Sequence, residues 1–286
     1  VEPLITLYEK DPVARETLPL VLASYYDGGM AIKQGSEGGL PYVVANFVET
    51  LDGVISYELP GQHSGDVISG KNEADQMVMG LLRAQADAII FGNSSWGHDA
   101  RHVHIPSLIF PDLAAEYHAL RVRQQKRDHL PMSVIMTASG HIDFQDATFH
   151  TPGLRTLIVT TTQGYEQLTR QKVPTGTDIR VVEPEQGWSG QGIPPKETLA
   201  LLGREYGVRV AVFEGGAKLL ASLVDEQVVD ELFLTLAPQI AGRTPDVHRA
   251  ALVEGHAFTP EEAPWLTLLS IKLAGSHLLL RYSFRR

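Results

Sequence analysis

The segment Val208-Arg209-Val210-Ala211-Val212-Phe213-Glu214-Gly215-Gly216-Ala217-Lys218-Leu219-Leu220 carries the strongest chemical signal in the chain, because an apolar strand pattern runs into Gly-Gly and then into a helix pattern. Glycine leaves room for a polyphosphate to approach the main chain, and the unpaired N–H groups of the first helical turn point at it. The spacing fits a pyrophosphate cradle. It also fits a tight strand-to-helix turn that uses glycine for its backbone angles alone. A second edge, Ala88-Ile89-Ile90-Phe91-Gly92-Asn93-Ser94-Ser95-Trp96, ends in small hydrogen-bonding residues suited to phosphate or ribose contacts where a parallel strand ends. Two such edges together point toward a dinucleotide. A third, Val134-Ile135-Met136-Thr137-Ala138-Ser139-Gly140, offers hydroxyls at a strand end, as a plain polar turn also does.

Other motifs carry less. Gly65-Asp66-Val67-Ile68-Ser69-Gly70-Lys71-Asn72 comes near the phosphate loop G-x-x-x-x-G-K-[ST], but Asn72 lacks the magnesium-binding hydroxyl and no apolar strand precedes Gly65. Gly190-Gln191-Gly192 continues as Ile193-Pro194-Pro195, so the Rossmann fingerprint is absent, and no G-x-S-x-G nucleophile elbow occurs. His98, His102 and His104 have spacings that zinc could use, yet Asp99 is the sole nearby carboxylate and the chain has no cysteine. The cluster reads as a solvated loop, and no metal is expected. Asp225, Glu226, Asp230 and Glu231 read as a solvated face without chemistry.

The elements that must position these residues follow from periodicity. Short apolar runs at 42–48, 88–91, 133–136, 156–160, 179–182 and 208–213 alternate with helical patterns, the sequence form of a largely parallel sheet with helices on both faces. Ala74, Met77, Val78, Leu81 and Leu82 give one helix its apolar face, with Ser69 as the expected N-cap and Glu73 and Asp75 near its positive end. Further helices are expected over 111–127, over 196–206 with Gly207 closing it, and over 217–224. Strands over 231–237, 265–273 and 277–284, the last two joined by Ala274-Gly275-Ser276, end the chain in an antiparallel hairpin. Residues 1–40, rich in glycine toward their end, read as a flexible N-terminal extension with no core of its own before a domain over 41–286.

Composition limits the partners. Of 286 residues, 43% are hydrophobic and 20% charged, which fits a folded globular chain and excludes disorder. A net charge of −10 repels nucleic acid and anionic membranes, so any anionic ligand needs local donors. Zero cysteines exclude disulfides, thiolate catalysis and Cys-ligated zinc. The first residues have no apolar signal-peptide core and no apolar run approaches the ~18 residues of a membrane span. A cytoplasmic protein is the expectation.

In order and spacing, Ala45-Asn46-Phe47-Val48-Glu49-Thr50-Leu51-Asp52-Gly53, the stretch Leu81-Leu82-Arg83-Ala84-Gln85-Ala86-Asp87-Ala88-Ile89, the Phe91-Gly92 edge and Phe213-Glu214-Gly215-Gly216-Ala217 resemble the reductase domain of riboflavin-biosynthesis deaminase-reductases. Val229 to Pro238 also looks like that family's strand after the cofactor-binding helix, and the resemblance covers residues 41 to 284. It implies a dihydrofolate-reductase-like α/β fold with a mixed, mostly parallel sheet. It further implies NADPH as cofactor, a homodimer, and reduction of the ribose of a 5-amino-6-ribosylamino-uracil phosphate to a ribityl chain. Gly215, Gly216 and Ala217 would hold the pyrophosphate, with Gly92, Asn93 and Ser94 beside it and Thr137 and Ser139 near the adenosine ribose and its 2′-phosphate. Asp52 and Glu214 would be catalytic, Glu214 by supplying negative charge to the imine. Asn46, Thr50, Ser69, Arg101, His102 and His104 would meet the substrate. Ordinary roles for two of these are a turn at Asp52-Gly53 and a helix-start carboxylate at Glu214.

The chain departs from the family pattern where cations are expected. Val54 follows Leu-Asp-Gly in place of Lys or Arg, Asn46 stands where many members have Lys, and His98-Asp99-Ala100-Arg101-His102 replaces Asp-Asp-Pro followed by Arg. Only Arg101, His102 and His104 remain to meet a phosphate. A dihydrofolate or other pterin reductase, and a non-catalytic nucleotide-binding protein of the same fold, are the alternative readings. The cysteine-free chain lacks the family's zinc deaminase half.

Overall fold

The computed structural model describes residues 1–59, 64–92, 103–126, 128–185, 188, 190 and 192–285. Its strands are β1 (Ile5–Glu9), β2 (Tyr42–Thr50), β3 (Ala88–Gly92), β4 (Met132–Thr137), β5 (Thr156–Thr160), β6 (Thr177–Val181), β7 (Val210–Phe213), β8 (Glu231–Ala237), β9 (Leu266–Ala274) and β10 (His277–Phe284). They form one sheet in the order β1-β9-β10-β8-β2-β7-β3-β4-β5-β6. From β8 to β6 every pairing is parallel, and from β1 to β8 every pairing is antiparallel. The expected mixed, mostly parallel sheet with its C-terminal hairpin is the observed one. Ala274 pairs with His277, so Gly275 and Ser276 form the two-residue turn.

Alternation along the central strands explains the layers. Val44, Ile89, Phe91 and Val212 face one core, where they meet α1 (Leu20–Tyr26), α3 (Glu73–Gln85) and α5 (Ala114–Arg123). Val43, Ala45, Ala88, Ile90, Ala211 and Phe213 face the other, against α7 (Pro195–Tyr206) and α8 (Ala217–Asp225). Both faces are dry, which is why these strands read as continuous apolar runs. The remaining helices are α2 (Ser64–Ser69), α4 (Pro106–Ile109) and α6 (Thr162–Leu168).

Several local expectations need correction. Ser69 does not cap α3: it ends α2, and Asn72 is the N-cap, its side chain accepting from the Ala74 and Asp75 nitrogens. Asn fits because its short side chain reaches those donors from an extended backbone. The helix expected over 111–127 is a 3₁₀ turn at Pro111–Leu113 followed by α5, which stops at Arg123 before Gln125 turns left-handed at φ 54°. Gly207 closes α7 in the left-handed region, φ 67°.

Residues 1–40 are built into the sheet and its core. β1 pairs with β9, and Leu18, Leu22, Tyr26 and Met30 join the cluster that holds Met77 and Leu81. Lys272 on β9 fastens the segment: its Nζ donates to Thr6 Oγ1 at 2.8 Å and lies 4.2 Å from the Tyr26 ring centroid. Packing therefore continues without a break across residue 40.

Candidate active site

A cavity of about 990 Å³ opens where β3, β4 and β7 end, at the upper end of roughly 300–1,000 Å³ for small-molecule sites and at the carboxyl edge of the parallel strands where ligands bind. Its wall brings together Asn46 from β2, Gly92, His104, Thr137, Ser139 and Glu214 to Ala217. Asn93, Ser94, Arg101 and His102 lie outside the described residues, as does His98.

The Gly-Gly turn acquires a definite reading. Neither Gly215 nor Gly216 has positive φ, so backbone angles do not require glycine at either position. A Cβ at 215 would stand 2.5 Å from the buried Phe213 ring and 3.2 Å from the Gly92 nitrogen, so packing of the β3 and β7 edges excludes a side chain there. Gly216 is the N-cap of α8 at φ −80°, ψ 164°, and no side chain accepts from the first-turn N–H groups. The Leu219 and Leu220 nitrogens donate to the Gly216 carbonyl at 3.1 and 3.0 Å, which leaves the Ala217 and Lys218 N–H groups without an intrahelical acceptor, and the segment lines the cavity. The start of α8 therefore has the donors and the open space that a pyrophosphate needs. Lys218, also on the wall, adds a cation. Across from it, Thr137 Oγ1 accepts from the Gly140 nitrogen at 3.1 Å and lies 3.5 Å from Ser139 Oγ.

Glu214 is not a free anion. Arg83 Nε donates to Oε1 and Oε2 at 3.1 and 3.0 Å, and Nη2 donates to Oε2 at 2.8 Å. The side chains are 2% and 7% exposed, a buried fork-to-carboxylate pair. The negative charge expected to face the imine is thus already offset by a guanidinium. Arg83 lines the cavity, and its Nη1 is buried without a hydrogen-bond partner among the described residues.

Asp52, expected to be catalytic, is held by hydrogen bonds just past the end of β2. Its carboxylate accepts from Thr50 Oγ1 at 2.6 Å and from the Ala241 and Gly242 nitrogens at 3.0 and 2.7 Å, and it does not line the cavity. Those hydrogen bonds, the Thr50 hydroxyl first, hold its pKa far below the usual carboxylate range. Stabilisation from a depressed carboxyl is complete above its ordinary pKa near 3.8 and fades as pH falls toward the folded value. Asp52→Asn is expected to lower Tm at neutral pH and leave kcat nearly unchanged. A large fall in kcat with unaltered Tm would return Asp52 to the chemistry. Thr50 is buried beside Asp52, its Oγ1 also accepting from the Val54 nitrogen at 3.0 Å. Ser69 is buried, and its carbonyl lies 3.0 Å from His277 Nε2. Neither lines the cavity.

The solvated-loop reading fails for His104. It is 5% exposed and stacks on Phe91 with ring centroids 4.2 Å apart. The ring covers the end of β3, where an apolar neighbour was available and water was not.

The residue missed most plainly is Asp75. Its place in the sequence suggests only a helix-start charge, yet it is 7% exposed and lines the cavity. Asp75, Met79 and Arg83 follow each other at i, i+4 and i+8 on α3 and all three line the cavity, so this stripe is a signal the sequence carries. Burial first, with Asp66 and Glu214 adding to it and the Thr235 hydroxyl pulling the other way, raises the Asp75 pKa to about 6. A raised carboxyl stabilises the fold fully below its unfolded value near 3.8, and that stabilisation is lost as pH rises through about 6. Between pH 4.5 and 7 the loss is on the order of 2 kcal/mol. Asp75→Asn is expected to remove that slope in urea unfolding measured across the range, and an unchanged slope would rule the account out.

Over residues 41–279 the chain matches the RibD C-terminal domain family. The protein belongs to that family. It is 27% identical to the 2,5-diamino-6-ribosylamino-4(3H)-pyrimidinone 5′-phosphate reductase of Archaeoglobus fulgidus over 204 residues, 71% of this chain and 82% of that protein. It superposes on RibD of Acinetobacter baumannii with TM-score 0.61 at 19% identity, covering 86% of this chain and 58% of that one. It therefore spans less than two thirds of that RibD. A pyrimidine reductase-like protein of Corynebacterium diphtheriae superposes with TM-score 0.64 at 20% identity, covering 96% of this chain and 100% of that one. The resemblance drawn from the ordered motifs is borne out, and the RibD-domain protein is an oxidoreductase. No helix among its described residues is long and apolar enough to cross a membrane.

Proposed function

We propose that this RibD-domain protein is an NADPH-dependent reductase that converts the ribosyl group of a ribosylamino-pyrimidine phosphate to a ribityl chain. The observation that carries the reading is the start of α8 at Gly216, without a side-chain cap and open to a cavity that Asp75 and the Arg83–Glu214 pair also line. NADPH, when bound, supplies the hydride that reduces C1′ of the ring-opened imine. The first-turn N–H groups of α8 and Lys218 hold the pyrophosphate, and Thr137 and Ser139 take the ribose with its 2′-phosphate. Asn46 and His104 shape the substrate side. Glu214 is a positioning residue: through three hydrogen bonds it holds the Arg83 guanidinium in place on the cavity wall. With Asp75 ionised and Arg83 offsetting one carboxylate, this wall keeps a negative charge that favours the cationic imine over the neutral product.

The test is spectrophotometric. Addition of the ribosylamino-pyrimidine phosphate to protein and NADPH should consume NADPH and yield the ribityl compound, with a lower Kd for NADPH than for NADH. Tight NADPH binding without turnover on that substrate or a pterin would leave a nucleotide-binding protein. Equal affinity for NADPH and NADH would remove Thr137 and Ser139 from the 2′-phosphate.

A further inference from the structure

Gly190 and Gly192 make no dinucleotide fingerprint, and Glu226 reads from the sequence as part of a solvated face. The fold connects the three. Glu226 follows directly on α8, half-buried, and each of its carboxylate oxygens takes one donor: Oε1 the Trp188 indole Nε1–H at 2.6 Å, Oε2 the Lys196 backbone N–H at 2.7 Å. Lys196 is the second residue of α7, whose N-cap Pro194 offers no side-chain acceptor, so the end of one helix caps the start of another. Burial raises the Glu226 pKa, Glu197 and Asp225 add to it, and the two donors pull it back. Both donors lead to the cavity. Between Trp188 and Lys196 in the chain lie Gly192 and Ile193, which line it. Ile193 is buried in the same core as Val182 and Leu199. A Cβ at 190 would run into the Trp188 ring, so glycine lets the main chain lie against the indole. Gly192 stands in the left-handed region at φ 85°, and a Cβ there would be 3.8 Å from the Ala138 Cβ. Ala138 lies between Thr137 and Ser139, and all three line the cavity.

We infer that Glu226 is a positioning residue for the adenosine end of NADPH: by holding Trp188 and the start of α7 it fixes Gly192 and Ile193 on the cavity wall beside Ala138. This inference rests on the NADPH reading of the same cavity and names what shapes its adenosine side. The physical reason is preorganisation. The donors assigned to the pyrophosphate open α8 and Glu226 follows its last residue, so one helix fixes both the phosphates and the wall beside the ribose. A wall that is ordered before the ligand arrives spares binding the cost of ordering it. That cost falls on the half of the ligand that touches the wall. The nicotinamide half, toward the Arg83–Glu214 pair, does not depend on it.

The experiment titrates the full chain, as wild type, Glu226→Ala and Trp188→Phe, by calorimetry with NADPH, adenosine 2′,5′-bisphosphate and reduced nicotinamide mononucleotide. In Glu226→Ala the Kd values for NADPH and adenosine 2′,5′-bisphosphate should rise about tenfold, while that for reduced nicotinamide mononucleotide stays within about twofold. Trp188→Phe keeps an aromatic ring against Gly190 and loses the indole N–H, so the same two ligands should weaken less, by about threefold. It also carries the test if Glu226→Ala does not fold. A role in the fold alone would lower Tm and leave all three Kd values unmoved, or weaken both fragments alike, and either result overturns the inference. A wild type that binds NADPH, with neither variant weakening adenosine 2′,5′-bisphosphate, sinks the assignment of Glu226 alone. A wild type that binds none of the three ligands sinks the NADPH reading and the inference with it.

Discussion

Gly216→Asp should weaken NADPH binding at least a hundredfold while the protein stays folded. Position 216 is the N-cap of α8 in an extended conformation open to any residue, φ −80° and ψ 164°, and aspartate is among the favoured N-caps. Its carboxylate would accept from the first-turn N–H groups, occupying the donors that a pyrophosphate requires, and would add a negative charge two residues from Glu214. Loss of two charge-assisted hydrogen bonds, at roughly 1.5–3 kcal/mol each, exceeds the ~2.7 kcal/mol that a hundredfold represents. The helix itself gains a few tenths of a kcal/mol from the new cap. Fluorescence titration with NADPH beside a thermal melt reads both quantities, and an unaltered Kd would show that the pyrophosphate lies elsewhere. Gly215→Ala is the contrasting change. There the added Cβ meets the buried Phe213 ring at 2.5 Å, so overpacking of about 1–3 kcal/mol lowers Tm first.

For Glu214→Gln the larger effect is on stability. The Arg83 side chain is 2% exposed and three of its contacts end on this carboxylate. Removal of the anion leaves a guanidinium in the core with no compensating charge, at a cost of about 3–5 kcal/mol. Arg83→Met with Glu214→Met should recover most of that stability, because two thioether side chains fill the volume without a charge to desolvate. The double variant should nevertheless lose activity, since the cavity wall then has neither the guanidinium nor the carboxylate that line it in the wild type. Urea unfolding of the two single variants and the double variant supplies the coupling energy. A double variant no more stable than Glu214→Gln would mean that the pair holds the fold through geometry that no apolar replacement restores.

Much of the scaffold was legible because its physics is local. Strand alternation buries 43 and 45 on one face and 44 on the other, and that period of two is written in neighbouring residues. Gly207 in the left-handed region and the Gly275-Ser276 turn follow from the same short-range sterics. The N-terminal strand was not legible. β1 has no strong apolar alternation, and it exists because β9 offers an unpaired edge some 260 residues later, with Lys272 reaching back to Thr6.

The sequence by itself determined the order of strands β2 to β10, the Gly-Gly step into α8 and the family. It could not rank the carboxylates. Asp52, Asp75 and Glu214 are alike as residue types, and what separates them comes from partners distant in the chain. The loop at 241–242 saturates Asp52, 189 to 190 residues away. Arg83 neutralises Glu214 across 131 residues. Asp75 and Glu214 both line the cavity, but the charged groups that act on Asp75, Asp66 and Glu214, are acidic, and the Thr235 hydroxyl of β8 is what favours its ionised form. Desolvation and Coulomb interaction depend on distance in space, and those distances exist only once β7, β8 and α3 have packed against one another.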